Sequence, residues 1–238
     1  MNGIGFIIPG NGPGATTERV PTPLPSAGED TYTHRYSGLR LKGADGAAIT
    51  DWVDSGSKYA PLSFAGGAGT VAKATDTYPY AVLNGRALSS FEIEAYPFTV
   101  GVVVRKTALS QGYLKVGGIN FQRAGNGAFQ IGSDNAGTGG SGTPATAGYA
   151  SNAWTIVVAT LNGPDLATQT LRAGNAAEVT SQIDPSVVTN PAPLIGSVTA
   201  GQSVDVLELI VWSKALTATQ RGKVHDALKA AYPSLNLD

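Results

Sequence analysis

The chain has no cysteine, so disulfides and thiolate metal sites are both excluded, and with them the disulfide-stapled class of extracellular domains. Charge is scarce: 14% of residues are Asp, Glu, Lys or Arg, against roughly 25% in an average soluble protein. The formal net charge is −1 and no basic run is present, which argues against nucleic acid as a main partner. No apolar run reaches the roughly 20 residues needed to span a bilayer, so no membrane partner is expected. The N-terminus, MNGIGFIIPGNGPG, lacks a basic segment and a full apolar core and does not read as a signal peptide. The two histidines, His34 and His225, fall in the leader and in a helix. Neither has a Ser or Asp companion at a suggestive spacing, so no catalytic or metal role is expected of them.

Turn-forming residues are plentiful, with 31 Gly and 14 Pro in 238 residues, and helical periodicity is confined to the last segment. An all-β chain is the economical reading, and the length suits one sandwich with a real core. Residues 1–33 stand apart as an extended N-terminal arm: proline and glycine dominate after the apolar patch Phe6, Ile7 and Ile8, and such a segment cannot build a core. That patch is the expected anchor on a partner protein, the alternative being a floppy leader that binds nothing. The sandwich is expected over 34–238.

Within it, Phe91 to Ala95 and Phe98 to Arg105 alternate as strands, with a Gly/Ala/Thr-rich passage from Ala65 to Thr77 before them. Asn126-Gly127 sits at the centre of a predicted hairpin. Residues 132–152 form a long low-complexity loop, of a length that is usually functional or disordered. Trp154 to Leu161 is apolar on both faces, and short strands follow at Gln169 to Arg172 and Leu194 to Ser197. Val204 to Trp212 is the longest apolar strand; alternation puts Val204, Val206, Ile210 and Trp212 on one face and Leu207, Leu209 and Val211 on the other. A strand apolar on both sides is normally central and covered twice. Thr217 and Gln220 form a capping box, and Val224, Ala227, Leu228 and Ala231 make one apolar helical stripe that ends at Tyr232-Pro233.

The strand ending in W-S-K-A-L-T, followed by a capped helix with Arg221 and an A-L-K-A-A-Y end, resembles the closing unit of concanavalin A-like lectin/glucanase domains. It is most similar to the LamG-type jelly rolls of bacterial surface and phage virion proteins. Leu39 to Gly56, with its W-V-D-S-G turn, resembles the opening strand of that fold, and L-N-G-R-A-L (Leu83 to Leu88) the strand start that follows. The match runs over roughly 36–235 in the expected order. The resemblance implies an antiparallel β-sandwich of jelly-roll type with one short C-terminal helix.

The same resemblance raises the question of glycoside hydrolysis, since some glucanases on this fold carry E-x-D-x-x-E on one strand. The nearest match, Ser203 to Glu208, has serine in place of the nucleophile, and retaining hydrolysis needs two carboxyls about 5 Å apart. Asp205 and Glu208 are therefore read as structural. Glu92 and Glu94 share one strand face about 7 Å apart, a spacing for an inverting pair, but alternation makes that face the solvated one. Asp51, Asp54, Asp134 and Asn135 offer loop oxygens for calcium without forming a ligand string. No cofactor or metal site is expected, with calcium kept as the alternative. Trp52 reads as core, Asp54 and Ser55 as turn-capping side chains, and Gly56 as a positive-φ residue. Sugar stacking would call on exposed aromatics beside loops, the candidates being Tyr78, Tyr80, Tyr113 and Tyr149.

The expected function is a non-enzymatic phage virion protein. It would be a capsid or tail decoration, homo-oligomeric, made in the host cytoplasm, attached to other virion proteins by the arm and able to meet host-surface glycans. The alternative is a free or secreted extracellular carbohydrate-binding module or adhesin. A glycoside hydrolase is the reading the sequence favours least.

Overall fold

The computed structural model describes residues 32–50, 52–56, 63–65, 70–84, 87–89, 97–106, 113–116, 119–123, 129–133, 146–147, 153–162, 168–182, 194–196 and 203–237. In chain order its strands are β1 (His34–Ser37), β2 (Ser63–Ala65), β3 (Thr70–Thr75), β4 (Pro79–Asn84), β5 (Ala87–Ser89), β6 (Phe98–Lys106), β7 (Tyr113–Val116) and β8 (Ile119–Arg123). There follow β9 (Phe129–Ser133), β10 (Thr146–Ala147), β11 (Trp154–Leu161), β12 (Thr168–Ala173), β13 (Val179–Gln182), β14 (Leu194–Gly196), β15 (Ser203–Trp212) and helix α1 (Ala218–Ala231). One sheet runs β13-β12-β11-β6-β15-β4-β3, with β1 also on β15, and the other β10-β9-β8-β7-β14-β5-β2. All pairings are antiparallel. The chain forms the expected antiparallel β-sandwich with one short C-terminal helix.

Strand β15 is central because both of its faces are apolar. It pairs β6 along its length on one side. On the other side it pairs β4 through Ser203 to Val206 and β1 through Glu208 to Val211. The partner changes at Leu207, where a bulge shifts the β6 register between Val206 and Glu208. One inserted residue reverses the alternation, which corrects the faces expected from simple parity. Val204, Val206, Leu209 and Val211 lie in the sandwich core, whereas Leu207, Ile210 and Trp212 lie in a second core on the outer face. The seam between β1 and β4 is filled by a 3₁₀ turn at Gly38–Arg40.

The inner face of the larger sheet carries Phe98, Val100, Val102, Val104, Val157, Ala159 and Leu161. The outer face is covered by the segment leading into α1, by α1 itself and by the tail after it, through Leu216, Val224, Leu228, Tyr232 and Leu237. The helix begins as its sequence requires: the Gln220 N–H donates to Thr217 Oγ1 at 3.3 Å, and the Thr217 N–H to Gln220 Oε1 at 2.7 Å. These bonds satisfy N-terminal groups that have no intrahelical partner.

Several expectations are relocated. The Gly/Ala/Thr-rich passage contains strand β3. The predicted hairpin pairs β8 with β9 from Arg123↔Phe129, while Asn126-Gly127 itself lies outside the described residues, as does the expected strand at Phe91 to Ala95. His34 belongs to β1 rather than to a leader, and the preceding Thr33 is already bound, its N–H donating to the Val211 carbonyl at 2.7 Å.

Candidate functional site

Register places three side chains in a row across the outer face of the larger sheet. Arg105, near the end of β6, is opposite Trp154 at the start of β11 and opposite Asp205 near the start of β15. The turn from β3 to β4 adds Asp76, and β4 adds Tyr80. The Arg105 guanidinium donates from Nε to Asp205 Oδ2 at 2.9 Å, from Nη1 to Asp76 Oδ2 at 2.6 Å, and from Nη2 to the Tyr80 hydroxyl at 2.8 Å. Nη2 also lies 2.9 Å from Asp205 Oδ2. The guanidinium stands 4.6 Å from the Trp154 ring centre and 4.8 Å from that of Tyr80, within cation–π range of both. The two rings meet edge to face at 5.2 Å.

The cluster runs from the core to the surface. Asp205 is 1% exposed, whereas the side chains of Arg105 and Asp76 are 19% and 50% exposed. Asp205 Oδ1 is buried without a hydrogen-bond partner, and burial pushes its carboxyl up to about 6 despite the guanidinium. Burial works against the Arg105 charge too, but the hydrogen bonds and charge of Asp76 and Asp205 outweigh it and hold the guanidinium above its ordinary value. The asymmetry is physical: every contact of Asp205 with Arg105 goes through one of its two oxygens.

The other buried polar groups join elements to one another. Arg35 Nε donates to Glu208 Oε1 at 2.6 Å, and the Tyr232 hydroxyl donates to Glu208 Oε2, tying β1, β15 and the end of α1 together. Burial first, and then the Glu208 charge, raise the Tyr232 phenol far above its usual range. Arg221 holds Glu178 through Nε at 2.7 Å and Nη2 at 2.5 Å, and its Nη1 donates to the Leu216 carbonyl. That arrangement joins the start of α1 to the segment before β13. Glu208 and Asp205, the two carboxylates of β15, are thus each bound to an arginine, Arg35 and Arg105.

His34 does have an acidic companion, contrary to expectation: its Nδ1 lies 2.7 Å from Asp54 Oδ2. Asp54 Oδ1 accepts from the Arg35 and Gly56 amides at 2.8 and 2.6 Å. Although burial works to raise it, these bonds hold the carboxyl below its ordinary value. Asp54 thus caps the W-V-D-S-G turn against β1 and is not presented to calcium. Trp52 is fully buried and donates from Nε1 to the Ser37 carbonyl at 2.9 Å. The requirement at Gly56 is proximity rather than positive φ: a Cβ there would lie 2.3 Å from the Thr33 carbonyl oxygen. His225 is buried on α1 with Nε2 unpartnered, and burial, then the Arg172 charge, lower its pKa.

The exposure expected of Tyr78 and Tyr80 is corrected. Both are buried, Tyr78 edge-on to Tyr232 at 5.1 Å and Tyr80 between Arg105 and Trp154, so neither offers an open ring face. Tyr113 lies in β7. Tyr149, Phe6, Ile7, Ile8, Asp51, Glu92, Glu94, Asp134 and Asn135 lie outside the described residues. Among the described residues no three His, Cys, Asp or Glu side chains gather where they could hold a metal ion. Sequence reasoning missed Arg105, Asp76 and Trp154. For Arg105 and Trp154 the available signal was a charge or an indole at one end of an otherwise apolar strand, and register joins them; Asp76 enters from the turn between β3 and β4.

An antiparallel β-sandwich with a helix-covered outer face is therefore the class of protein defined here. No family model and no curated protein matches the chain. Among solved structures, it is similar to the botulinum neurotoxin serotype G binding domain, with 14% identity over 84% of this chain and a TM-score of 0.52. It is similar also to the binding domain of botulinum neurotoxin DC in complex with SialylT, with 11% identity over 85% and a TM-score of 0.51. The Trypanosoma rangeli sialidase in complex with sialic acid matches with 13% identity over 87% and a TM-score of 0.51. The chain spans 51% and 52% of the two toxin structures and 34% of the sialidase. At these identities the shared property is the β-sandwich fold.

Proposed function

We propose that the chain is a non-catalytic recognition module, a lectin-like sandwich that binds glycans. The observation that carries the reading is the company its fold keeps: two of the neighbours named above are toxin binding domains, one of them solved with SialylT. The sialidase neighbour keeps hydrolysis in view. Favouring binding over hydrolysis, the carboxylates of Glu208, Asp54 and Glu178 are each held by protein partners, and Asp205 is sunk beneath Arg105. The reading requires no cofactor.

Its finer form is a concanavalin A-like, LamG-type domain displayed on a virion as a homo-oligomeric decoration or adhesion component, attached through the arm that contains Phe6, Ile7 and Ile8. That form rests on the sequence motifs and the composition. A free extracellular adhesin would share the same binding role.

The test is an immobilised array of neutral and acidic glycans probed with the intact chain. Saturable binding is expected, without release of p-nitrophenol from aryl glycosides. Turnover of such substrates, or no binding anywhere on the array, would overturn the reading. Mass spectrometry of purified particles from the source tests the finer form, which fails if the chain is missing from them.

A further inference from the structure

We propose that the Arg105–Asp76 edge of the outer-face cluster is a subsite for adjacent hydroxyl groups of a neutral sugar. The inference rests on the glycan-binding reading above and assigns it a place. A sugar hydroxyl both donates and accepts, so two neighbouring hydroxyls are read best by a donor and an acceptor held side by side. Arg105 Nη1 and Asp76 Oδ2 bring such groups together, 2.6 Å apart, with the Asp76 side chain 50% and the Arg105 side chain 19% exposed. The hydrogen bonds to Asp205, Asp76 and Tyr80 leave Nη1 with an N–H to spare. The second carboxyl oxygen of Asp76 completes the acceptor side.

The pair is also preorganised. Arg105 is a long side chain that would ordinarily lose much rotamer freedom on meeting a ligand. Here Asp205, the Tyr80 hydroxyl and two aromatic rings fix it beforehand. Behind the surface pair, Asp205 Oδ1 is a buried carboxyl oxygen without a hydrogen-bond partner, a kind of group that is rare in native cores.

Charge chooses the class of sugar. Two carboxylates face one guanidinium, so an anionic sugar would meet Asp76 as a like charge, whereas a neutral hexose or N-acetylhexosamine would not. The subsite therefore favours neutral over sialylated termini.

The experiment is calorimetric titration of the intact chain with the neutral glycan that binds best on the array, and with its sialylated counterpart. Asp76→Asn and Arg105→Lys are measured in parallel, together with melting temperatures. Wild-type binding is expected to weaken at least tenfold in each variant and with the sialylated ligand. Asp76→Asn keeps its melting temperature because the residue lies on the surface, so a loss of binding there is not a loss of fold. Undiminished binding by Asp76→Asn, or tighter binding of the sialylated ligand, would overturn the subsite and leave glycan binding standing elsewhere on the molecule. Absence of any glycan binding by the wild type would overturn both.

Discussion

Gly38 sits where the 3₁₀ turn crosses the seam between β1 and β4, and a Cβ there would lie 2.0 Å from the Pro79 carbonyl oxygen and 3.0 Å from that of Leu207. Both neighbours are backbone held in the sheet, so neither can yield cheaply. Gly38→Ala should cost about 3 kcal/mol or more, at the upper end of overpacking effects. Gly222, on α1, has nothing within 4 Å of the same position, and Gly222→Ala should add up to about 1 kcal/mol through helix propensity. Thermal unfolding of the two variants checks both signs. Asp205 makes a pH prediction. Its folded value of about 6 stands above the ordinary 3.8, so between these values the folded state binds the extra proton. The resulting stabilisation is fully present below about pH 4 and is lost as pH rises through 6. Asp205→Asn mimics the protonated form, so the melting temperature of the variant relative to wild type should climb from pH 4 to pH 7.5, by up to about 3 kcal/mol in stability. A flat difference across that range would show that the folded state does not raise Asp205 above its ordinary value. None of this was legible in the sequence: a glycine in a turn does not reveal whether φ or proximity requires it, and Asp205 reads as an interruption until Arg105 is seen beside it.

Elements were more legible than contacts. Strands β6, β11 and β15 and the helix with its Thr217 cap could all be read from apolar runs and capping chemistry, because these depend on residues near one another in the chain. The bulge at Leu207 could not, because it falls where the partner changes from β4 to β1, and both partners lie more than a hundred residues away. The consequence is that Glu208 faces the helix side, where Arg35 and Tyr232 reach it. Removing the phenol oxygen with Tyr232→Phe leaves Glu208 Oε2 buried without that donor, which should cost about 1–3 kcal/mol. The loss should fall first on the docking of α1, whose amides should exchange with solvent faster than those of β6 and β11. Exchange that accelerates equally in all three elements would mean that the hydroxyl supports the whole sheet rather than the helix alone.

At the scale of the molecule, the question is where the folded unit begins. A boundary after residue 33 follows from composition, but Thr33 is already part of the sheet: its N–H donates to Val211, and its hydroxyl lies 2.8 Å from that of Ser213. Two deletions with different endpoints separate the arm from the sheet. Removing residues 1–31 keeps β1 and its pairing with β15, so the chain should remain soluble and melt within a few degrees of the full-length protein. Removing residues 1–37 takes away Arg35 and leaves Glu208 as a buried charge without its cation, a loss of about 3–5 kcal/mol that also exposes half of one side of β15. Against the 5–15 kcal/mol that holds a typical domain together, the longer deletion should unfold the protein or leave it aggregated. If the shorter deletion proved equally damaging, residues 1–31 would have to be completing the core, and their assignment as a separate arm for attachment to a partner would fail.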